Sequence, residues 1–294
     1  MEEDLRGQSF LNRSRKPRRP EPEEELLLVH KREWEGFQSG RRWGPDRRLL
    51  SSKSSYHADV DWYNNFLMLR ENLERIQSRI AAAARTGGRN PSDVRLICVT
   101  KGVAVERIQE AIACGVWEIG ENRVQEAQAK QTAVGRNVRW HLIGHLQKNK
   151  ARIAVELFDL IHSVDSPGLI EILNQQAAGR EGALELLLQV NVSGEATKSG
   201  CRPEEAQTLA ESIFQAKNLR LLGLMTMAPL TENSESTRPF FRQLRELRDS
   251  IQKKSGRPLP ELSMGMSGDF ESAVKEGATL VRIGTAIFGE RVYR

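Results

Sequence analysis

The sequence has no long apolar run: none of its 294 residues sits in an uncharged stretch near the roughly 18 residues that a membrane-spanning helix needs. Cysteine is scarce. Cys98, Cys114 and Cys201 are odd in number and scattered, which gives neither a disulfide framework nor a metal-ligand spacing. Free thiols in a reducing compartment are the expectation. Charge of one sign is also missing, since 44 Lys and Arg face 39 Asp and Glu. The net +5 neither demands nor excludes a basic face for nucleic acid. Collagen-like and heptad periodicities are absent. An apolar h-region near the start is lacking, which excludes a secretory signal. Glu2, Glu3 and Asp4 argue against an acid-poor transit peptide. A cytoplasmic protein, binding neither membrane nor nucleic acid, is the expectation that results.

What is present divides into a tail and a body. Residues 1–56 hold R-S-R-K-P-R-R-P at 13–20, acidic residues from Glu21 to Glu25 around Pro22, and R-R-W-G-P-D-R-R at 41–48. Apart from Leu26-Leu27-Leu28-Val29 they show no apolar periodicity. Such sequence buries too little apolar surface to offset its ordering entropy, so 1–56 reads as a disordered charged tail. From about residue 60 the text becomes regular. Phe66, Leu69, Leu73, Ile76, Ile80 and Ala83 recur at helical spacing, and Thr86-Gly87-Gly88 stops that helix.

Strands and helices then alternate. Strands are expected over 94–100, 116–120, 138–143, 160–164, 184–192, 219–225, 262–264 and 280–283. Helices are expected over 106–113, through 129, and over 148–156, 167–178, 203–215, 237–253 and 269–276, with a last turn near Ala286. Eight β/α units in about 235 residues match an α/β (β/α)8 TIM barrel, placed over residues 57–294 as one domain behind the tail. An open doubly wound sheet is the alternative, but no G-x-G-x-x-G follows the first strand.

In a barrel, chemistry collects where strands end. Lys101 closes the first strand, and in the barrel mouth a desolvated amine would become a nucleophile for aldehydes. The competing reading is a lysine that snorkels to solvent. After strands seven and eight come small polar turns, Ser267-Gly268 before Asp269 and Gly284-Thr285 before Ala286. Barrels commonly bind phosphate with these two loops; helix capping is the alternative. An inward lysine and a phosphate cradle together suggest a phosphorylated aldehyde, with pyridoxal phosphate the leading candidate. Arg282, on a strand of Leu, Val and Ile, needs an acceptor inside the barrel, and a pyridine nitrogen or a neighbouring carboxylate would serve. Loop packing is the expectation for Cys201, which follows Lys198-Ser199-Gly200. His141 and His145 are four apart, but on a strand and loop with no third ligand close, so no metal is expected.

These residues also carry a resemblance. The matching stretches are V-R-L-I-C-V-T-K at 94–101, G-E-N-R-V-Q-E-A at 120–127, W-H-L-I-G-H-L-Q-K-N-K at 140–150 and H-S-V-D-S at 162–166. They continue with V-N-V-S-G-E-A-T-K-S-G at 190–200, G-L-M-T-M at 223–227, L-S-M-G-M-S at 262–267 and V-R-I-G-T-A-I-F-G-E-R at 281–291. From about residue 62 to the end, the chain resembles the pyridoxal phosphate homeostasis proteins (the YggS/PROSC group). The resemblance implies a barrel of the alanine racemase N-terminal-domain type, pyridoxal phosphate fold type III. It implies pyridoxal 5'-phosphate held as a Schiff base on Lys101. It implies phosphate on Ser267, Gly284 and Thr285, the pyridine nitrogen near Arg282, and Asn122 and Met227 lining the site. Four positions depart from the family's usual text: Thr100 replaces Ser, Gly102-Val103 follows the lysine in place of Thr and a nearby Pro, and Arg123 replaces Tyr.

The function that the resemblance implies is intracellular pyridoxal phosphate homeostasis without catalytic turnover, with apo-enzymes that use the cofactor as candidate recipients. A racemase-like enzyme is the alternative. Racemisation needs an acid/base on each face of the α-carbon. Outside the tail the only tyrosines are Tyr63 and Tyr293, neither well placed to pair with Lys101. A monomer fits the lack of a second, partner-completing domain. A third reading, non-covalent binding of some phosphometabolite, leaves Lys101 idle.

Overall fold

The computed structural model describes residues 53–289 except 196, 230 and 232, and side chains from Asn64 onward. The expected tail falls almost wholly outside these residues. The chain divides into two units, residues 1–64 and 65–294; the second is the barrel. Helix α1 spans Lys53–Thr86, so it begins earlier than the apolar periodicity alone indicates. Its buried stripe is Leu69, Leu73, Ile76, Ile80, Ala83 and Ala84, the i, i+4, i+7 pattern of one helical face.

The eight strands are β1 (Arg95–Val99), β2 (Glu118–Glu121), β3 (Arg139–Leu142), β4 (Leu160–Val164), β5 (Leu184–Gln189), β6 (Leu219–Met225), β7 (Glu261–Ser263) and β8 (Leu280–Ile283). They pair in chain order, all parallel, and β8 closes on β1 with Ile97 opposite Arg282 and Cys98 opposite Ile283. The helices after them are α2 (Val105–Ala113), α3 (Val124–Val134), α4 (Ala151–Leu157), α5 (Pro167–Gln176), α6 (Ala206–Gln215), α7 (Arg238–Ser255), α8 (Phe270–Lys275) and α9 (Thr285–Phe288). Strands covered on both faces read as continuous apolar text, as in Leu186-Leu187-Leu188. Among the described residues, no helix is long and apolar enough to cross a membrane.

One strand is shorter than the sequence suggests. β5 stops at Gln189, because Val190 makes a single bridge to Cys201 and the Asn191 side chain turns back on the chain. Asn191 Oδ1 accepts from Ser193 Oγ at 3.0 Å and from the Gly194 N–H at 3.1 Å, which forms a turn in place of a ladder.

Two apolar clusters divide the core. The larger lies between sheet and helices. The smaller, of Ile97, Leu160, Leu187, Leu222, Met225 and Leu280, fills the barrel with Met227 packed against it. Beneath it, toward the strands' N-terminal ends, charges alternate around the wall. Arg95 bonds Glu118 at 2.7 Å and Glu261 at 2.5 Å. Arg139 pairs with Glu118 and Glu185, and Arg220 reaches Glu185 at 3.4 Å. Each carboxylate is shared by two arginines or by an arginine and a hydroxyl, as Thr279 is for Glu261. This floor leaves the opposite end as the open mouth.

Candidate active site

All seven expected site residues come from five consecutive strands, β6-β7-β8-β1-β2, at their C-terminal ends. Lys101 is half-buried in the turn after β1. That turn is held by a knot of side chains. Lys130 on α3 donates to Thr100 O at 2.7 Å, Glu121 Oε1 at 2.8 Å and Glu126 Oε1 at 2.7 Å. Thr100 Oγ1 donates to Glu121 Oε1 at 2.7 Å, and the Gly102 N–H to Glu126 Oε1 at 2.5 Å. The backbone is therefore gripped on both sides of Lys101. Gly102 has φ 67°, a conformation glycine adopts without strain. Burial raises the pKa of Glu121, although Lys130 and Thr100 pull the other way.

Asn122 follows directly on β2, half-buried, with Oδ1 buried and unpartnered. Gly144 lies so near that a Cβ there would stand 2.3 Å from Asn122 O. Met227, after β6, is half-buried against the inner cluster.

The turn after β7 is tight. Gly265 has φ 93°, and a Cβ there would meet Ala273 at 2.7 Å. Asp269 Oδ1 accepts from the Met266 N–H at 2.6 Å, and Met266 O accepts from the N–H groups of Asp269 and Phe270. Burial raises the Asp269 pKa, offset by the Met266 N–H and by Arg282. Ser267 is half-buried in this turn. Buried Gly284 precedes α9, and exposed Thr285 is its first residue. Gly284 O accepts from the N–H groups of Ile287 and Phe288, both at 2.9 Å. The first N–H groups of a helix have no acceptor within it.

Arg282 is 4% exposed. Its Nη1 donates to Ser263 Oγ at 2.6 Å and its Nη2 to Thr226 O at 2.9 Å. Among the described residues no carboxylate pairs with it directly, so the salt-bridge reading of Arg282 is replaced by a cation on neutral acceptors. Burial lowers its pKa to about 10, with Asp269 opposing, and it stays charged at neutral pH.

The structure separates His141 from His145: the first is buried inside the barrel and the second is exposed. Among the described residues, no group of three or more potential ligands could hold a metal ion. All three cysteines are free. Cys201 is buried beside Val190, and burial pushes its thiol up to about 12, which leaves it packed and unreactive. Sequence reasoning missed Lys130 and Glu126, and it placed His141, His162 and Ser263 on the strands without giving them a part in the site. The signal was available for these three: polar residues on β3, β4 and β7 at the inward, period-two positions.

Comparison with known proteins accords with this geometry. The family model described as alanine racemase, N-terminal domain, matches residues 70–292. A pyridoxal phosphate homeostasis protein from Aquifex aeolicus is 45% identical over 224 residues, covering 76% of this chain and 98% of that one. The structure of PipY from Synechococcus elongatus with pyridoxal phosphate bound is 39% identical, with a TM-score of 0.67, covering 75% of this chain and 100% of that one. Alanine racemase from Corynebacterium glutamicum, 16% identical with a TM-score of 0.56, covers 75% of this chain and 62% of that one, and shows the fold alone. Fold and mouth thus define a (β/α)8 barrel of the alanine racemase N-terminal-domain type. Within that class, the chain belongs to the family of pyridoxal phosphate homeostasis proteins.

Proposed function

We propose that the protein binds pyridoxal 5'-phosphate in the barrel mouth, anchors it covalently through Lys101, and serves intracellular pyridoxal phosphate homeostasis. The observation that carries this reading is the pairing of Lys101, fixed at the end of β1, with Arg282, a buried cation whose acceptors are all neutral. A buried cation hydrogen-bonded to neutral groups alone, with Asp269 acting on it only through space, suits a phosphate ester and a pyridine nitrogen able to accept a hydrogen bond. The unpartnered Asn122 Oδ1 is a second polar group awaiting a partner in the same mouth.

In this reading Ser267, Gly284 and Thr285 hold the phosphate, with the N–H groups at the start of α9 beside them. Arg282 faces the pyridine nitrogen and, as a permanent cation, disfavours its protonation. Asn122 and Met227 line the ring. When bound, the cofactor supplies an electrophilic aldehyde carbon. Lys101 Nζ adds to that carbon and water leaves, so the attachment is reversible by water. The gripped turn keeps the amine at the mouth.

A carrier role is favoured over catalysis by the names of the relatives, which are pyridoxal phosphate homeostasis proteins. A racemase would need a second acid/base opposite Lys101. The same reading makes the protein a cytoplasmic monomer that passes its cofactor to apo-enzymes.

The test is the absorbance spectrum of the protein incubated with pyridoxal phosphate, before and after borohydride, for wild type and Lys101→Ala. A visible band that borohydride abolishes, with the pyridoxyl group then found on Lys101, is the expected result. Amino-acid turnover by the loaded protein would overturn the carrier role. A protein that takes up no pyridoxal phosphate would overturn the binding itself.

A further inference from the structure

Inside the barrel a chain of side chains runs from Arg282 away from the mouth. Arg282 Nη1 lies 2.6 Å from Ser263 Oγ. Ser263 Oγ is 2.9 Å from His162 Nδ1, and His162 Nε2 is 2.9 Å from His141 Nδ1. The rings meet edge to face, with centroids 5.2 Å apart. His141 Nε2 ends the chain 4.0 Å from Glu118 Oε1, in the charged floor. Ser263, His162, His141 and Glu118 are all 0% exposed. Four residues from β8, β7, β4 and β3 are thus hydrogen-bonded in series across the barrel, and His141 Nε2, buried without a hydrogen-bond partner among the described residues, faces Glu118 of β2.

The direction of the protons follows from donor and acceptor inventory. Arg282 can only donate, so Ser263 Oγ accepts from it. The one hydroxyl proton of Ser263 then goes to its other partner, His162 Nδ1. Both histidines are neutral: burial lowers their pKa values well below the usual range. The facing cations add to this, Arg139 and Arg95 for both rings and Arg282 for His162. A neutral His162 that accepts at Nδ1 carries its proton on Nε2 and donates to His141 Nδ1. His141 in turn carries its proton on Nε2, toward Glu118. The reverse direction would leave the Ser263 proton without an acceptor and turn a bare His141 lone pair toward a carboxylate.

We propose that Ser263 and His162, with His141 behind them, are positioning residues for the cofactor: they fix from inside the barrel the orientation of the guanidinium that the pyridine nitrogen meets. This rests on the assignment of Arg282 as the pyridine partner. The orientation matters because Thr226 O alone leaves the guanidinium free to pivot about one bond. With Ser263 it is held at two points, and the pivot is removed. A ring nitrogen that meets a fixed donor keeps one hydrogen-bonded environment, which sets the pH midpoint of the cofactor's band.

The test has two arms. In the cofactor-free wild type, nitrogen-15 spectra of the imidazoles at pH 7 are expected to show both buried histidines neutral and protonated on Nε2. An imidazolium, or an Nδ1 proton on His162, overturns the proposal. In the loaded protein the readouts are the visible band, its pH midpoint and the affinity for pyridoxal phosphate. Ser263→Ala, which leaves the guanidinium on Thr226 O alone, and His162→Leu, which leaves the Ser263 hydroxyl unheld, are expected to move the midpoint by about half a pH unit or more and to weaken binding roughly tenfold. His162→Asn, whose amide oxygen replaces Nδ1 as acceptor for Ser263, is expected to restore the wild-type band. Thermal midpoints of all variants show which fold, and Ser263→Ala, which loses one oxygen atom, decides if His162→Leu does not. Identical bands in wild type and Ser263→Ala overturn the positioning role alone. A wild type that takes up no pyridoxal phosphate overturns the binding reading and this role together, while the tautomers still report the chain of protons.

Discussion

Lys130 Nζ lies 2.7 Å from the carbonyl oxygen of Thr100, thirty residues earlier in the chain and one residue before Lys101. The same amine bonds Glu121 and Glu126, and Glu126 takes the N–H of Gly102. The turn that carries Lys101 is therefore braced by an ion cluster on α3 and β2 as well as by its own glycine. Lys130→Met leaves Glu121 buried without its cation, which costs about 3–5 kcal/mol. The expected outcome is a matching fall in urea-unfolding free energy and weaker pyridoxal phosphate uptake, because Lys101 loses its frame. Lys130→Arg, which keeps the charge in a larger group, is expected to recover part of both. Unchanged uptake in a folded Lys130→Met protein would show that the knot does not position Lys101.

Gly144 tests the approach of β3 to β2. A Cβ there would stand 2.3 Å from Asn122 O and 2.8 Å from Asn122 Cα, both backbone atoms that cannot swing aside. Gly144→Ala is expected to cost about 1–3 kcal/mol by overpacking and to weaken cofactor uptake by displacing Asn122. Gly179→Ala, where nothing lies within 4 Å, is the control and should be near neutral. Equal unfolding midpoints for the two variants would contradict the predicted clash.

The architecture was legible because eight apolar strand texts alternate with helical ones, and a parallel barrel is what such alternation folds into. Lys101, Arg282 and the glycine turns were legible because strand ends face the mouth. Lys130 was not, since on α3 it reads as one lysine among many on a solvated face. Its burial depends on Glu121 and Glu126, which only the packing of α3 against β2 brings to it. The histidine chain was hidden for a similar reason. His141 read as a ligand candidate with His145, and nothing in either strand's text says that β3 and β4 aim imidazoles at each other. The end of β5 was missed because Asn191 spends its side chain on the turn, while Val190 and Val192 continue the apolar pattern of a strand.

Thiol reactivity separates the three cysteines. Burial holds Cys98 far above the usual thiol range and raises Cys201 to about 12 and Cys114 to about 11. Cys114 is the one of the three that is not buried. With burial holding its pKa at about 11, its thiolate fraction at pH 8 is far below that of a free thiol. A disulfide reagent at pH 8 is expected to label the native protein slowly at Cys114, and all three thiols after unfolding. Rapid labelling of Cys201 would show that its loop opens.

The buried histidines make stability depend on pH in a direction that can be worked out. His141 and His162 have native pKa values well below 6.5, so below that pH the unfolded chain binds protons that the native barrel refuses. Their contribution is complete above about pH 6.5 and is lost as pH falls below it, by up to about 1.4 kcal/mol per pH unit for each ring. Glu118, Glu121 and Asp269 act oppositely. Burial raises their native pKa values, so their contribution is present at low pH and lost as pH rises through those values. A single wild-type curve therefore mixes both signs. The difference between wild type and His162→Asn removes the shared carboxylates and isolates one ring. Between pH 6.5 and 5.5 the cofactor-free wild type is expected to lose roughly 1 kcal/mol more of urea-unfolding free energy than His162→Asn. Parallel curves would mean that His162 takes up its proton in the native state as readily as in the unfolded one, and the neutral chain from Arg282 to His141 would have to be redrawn.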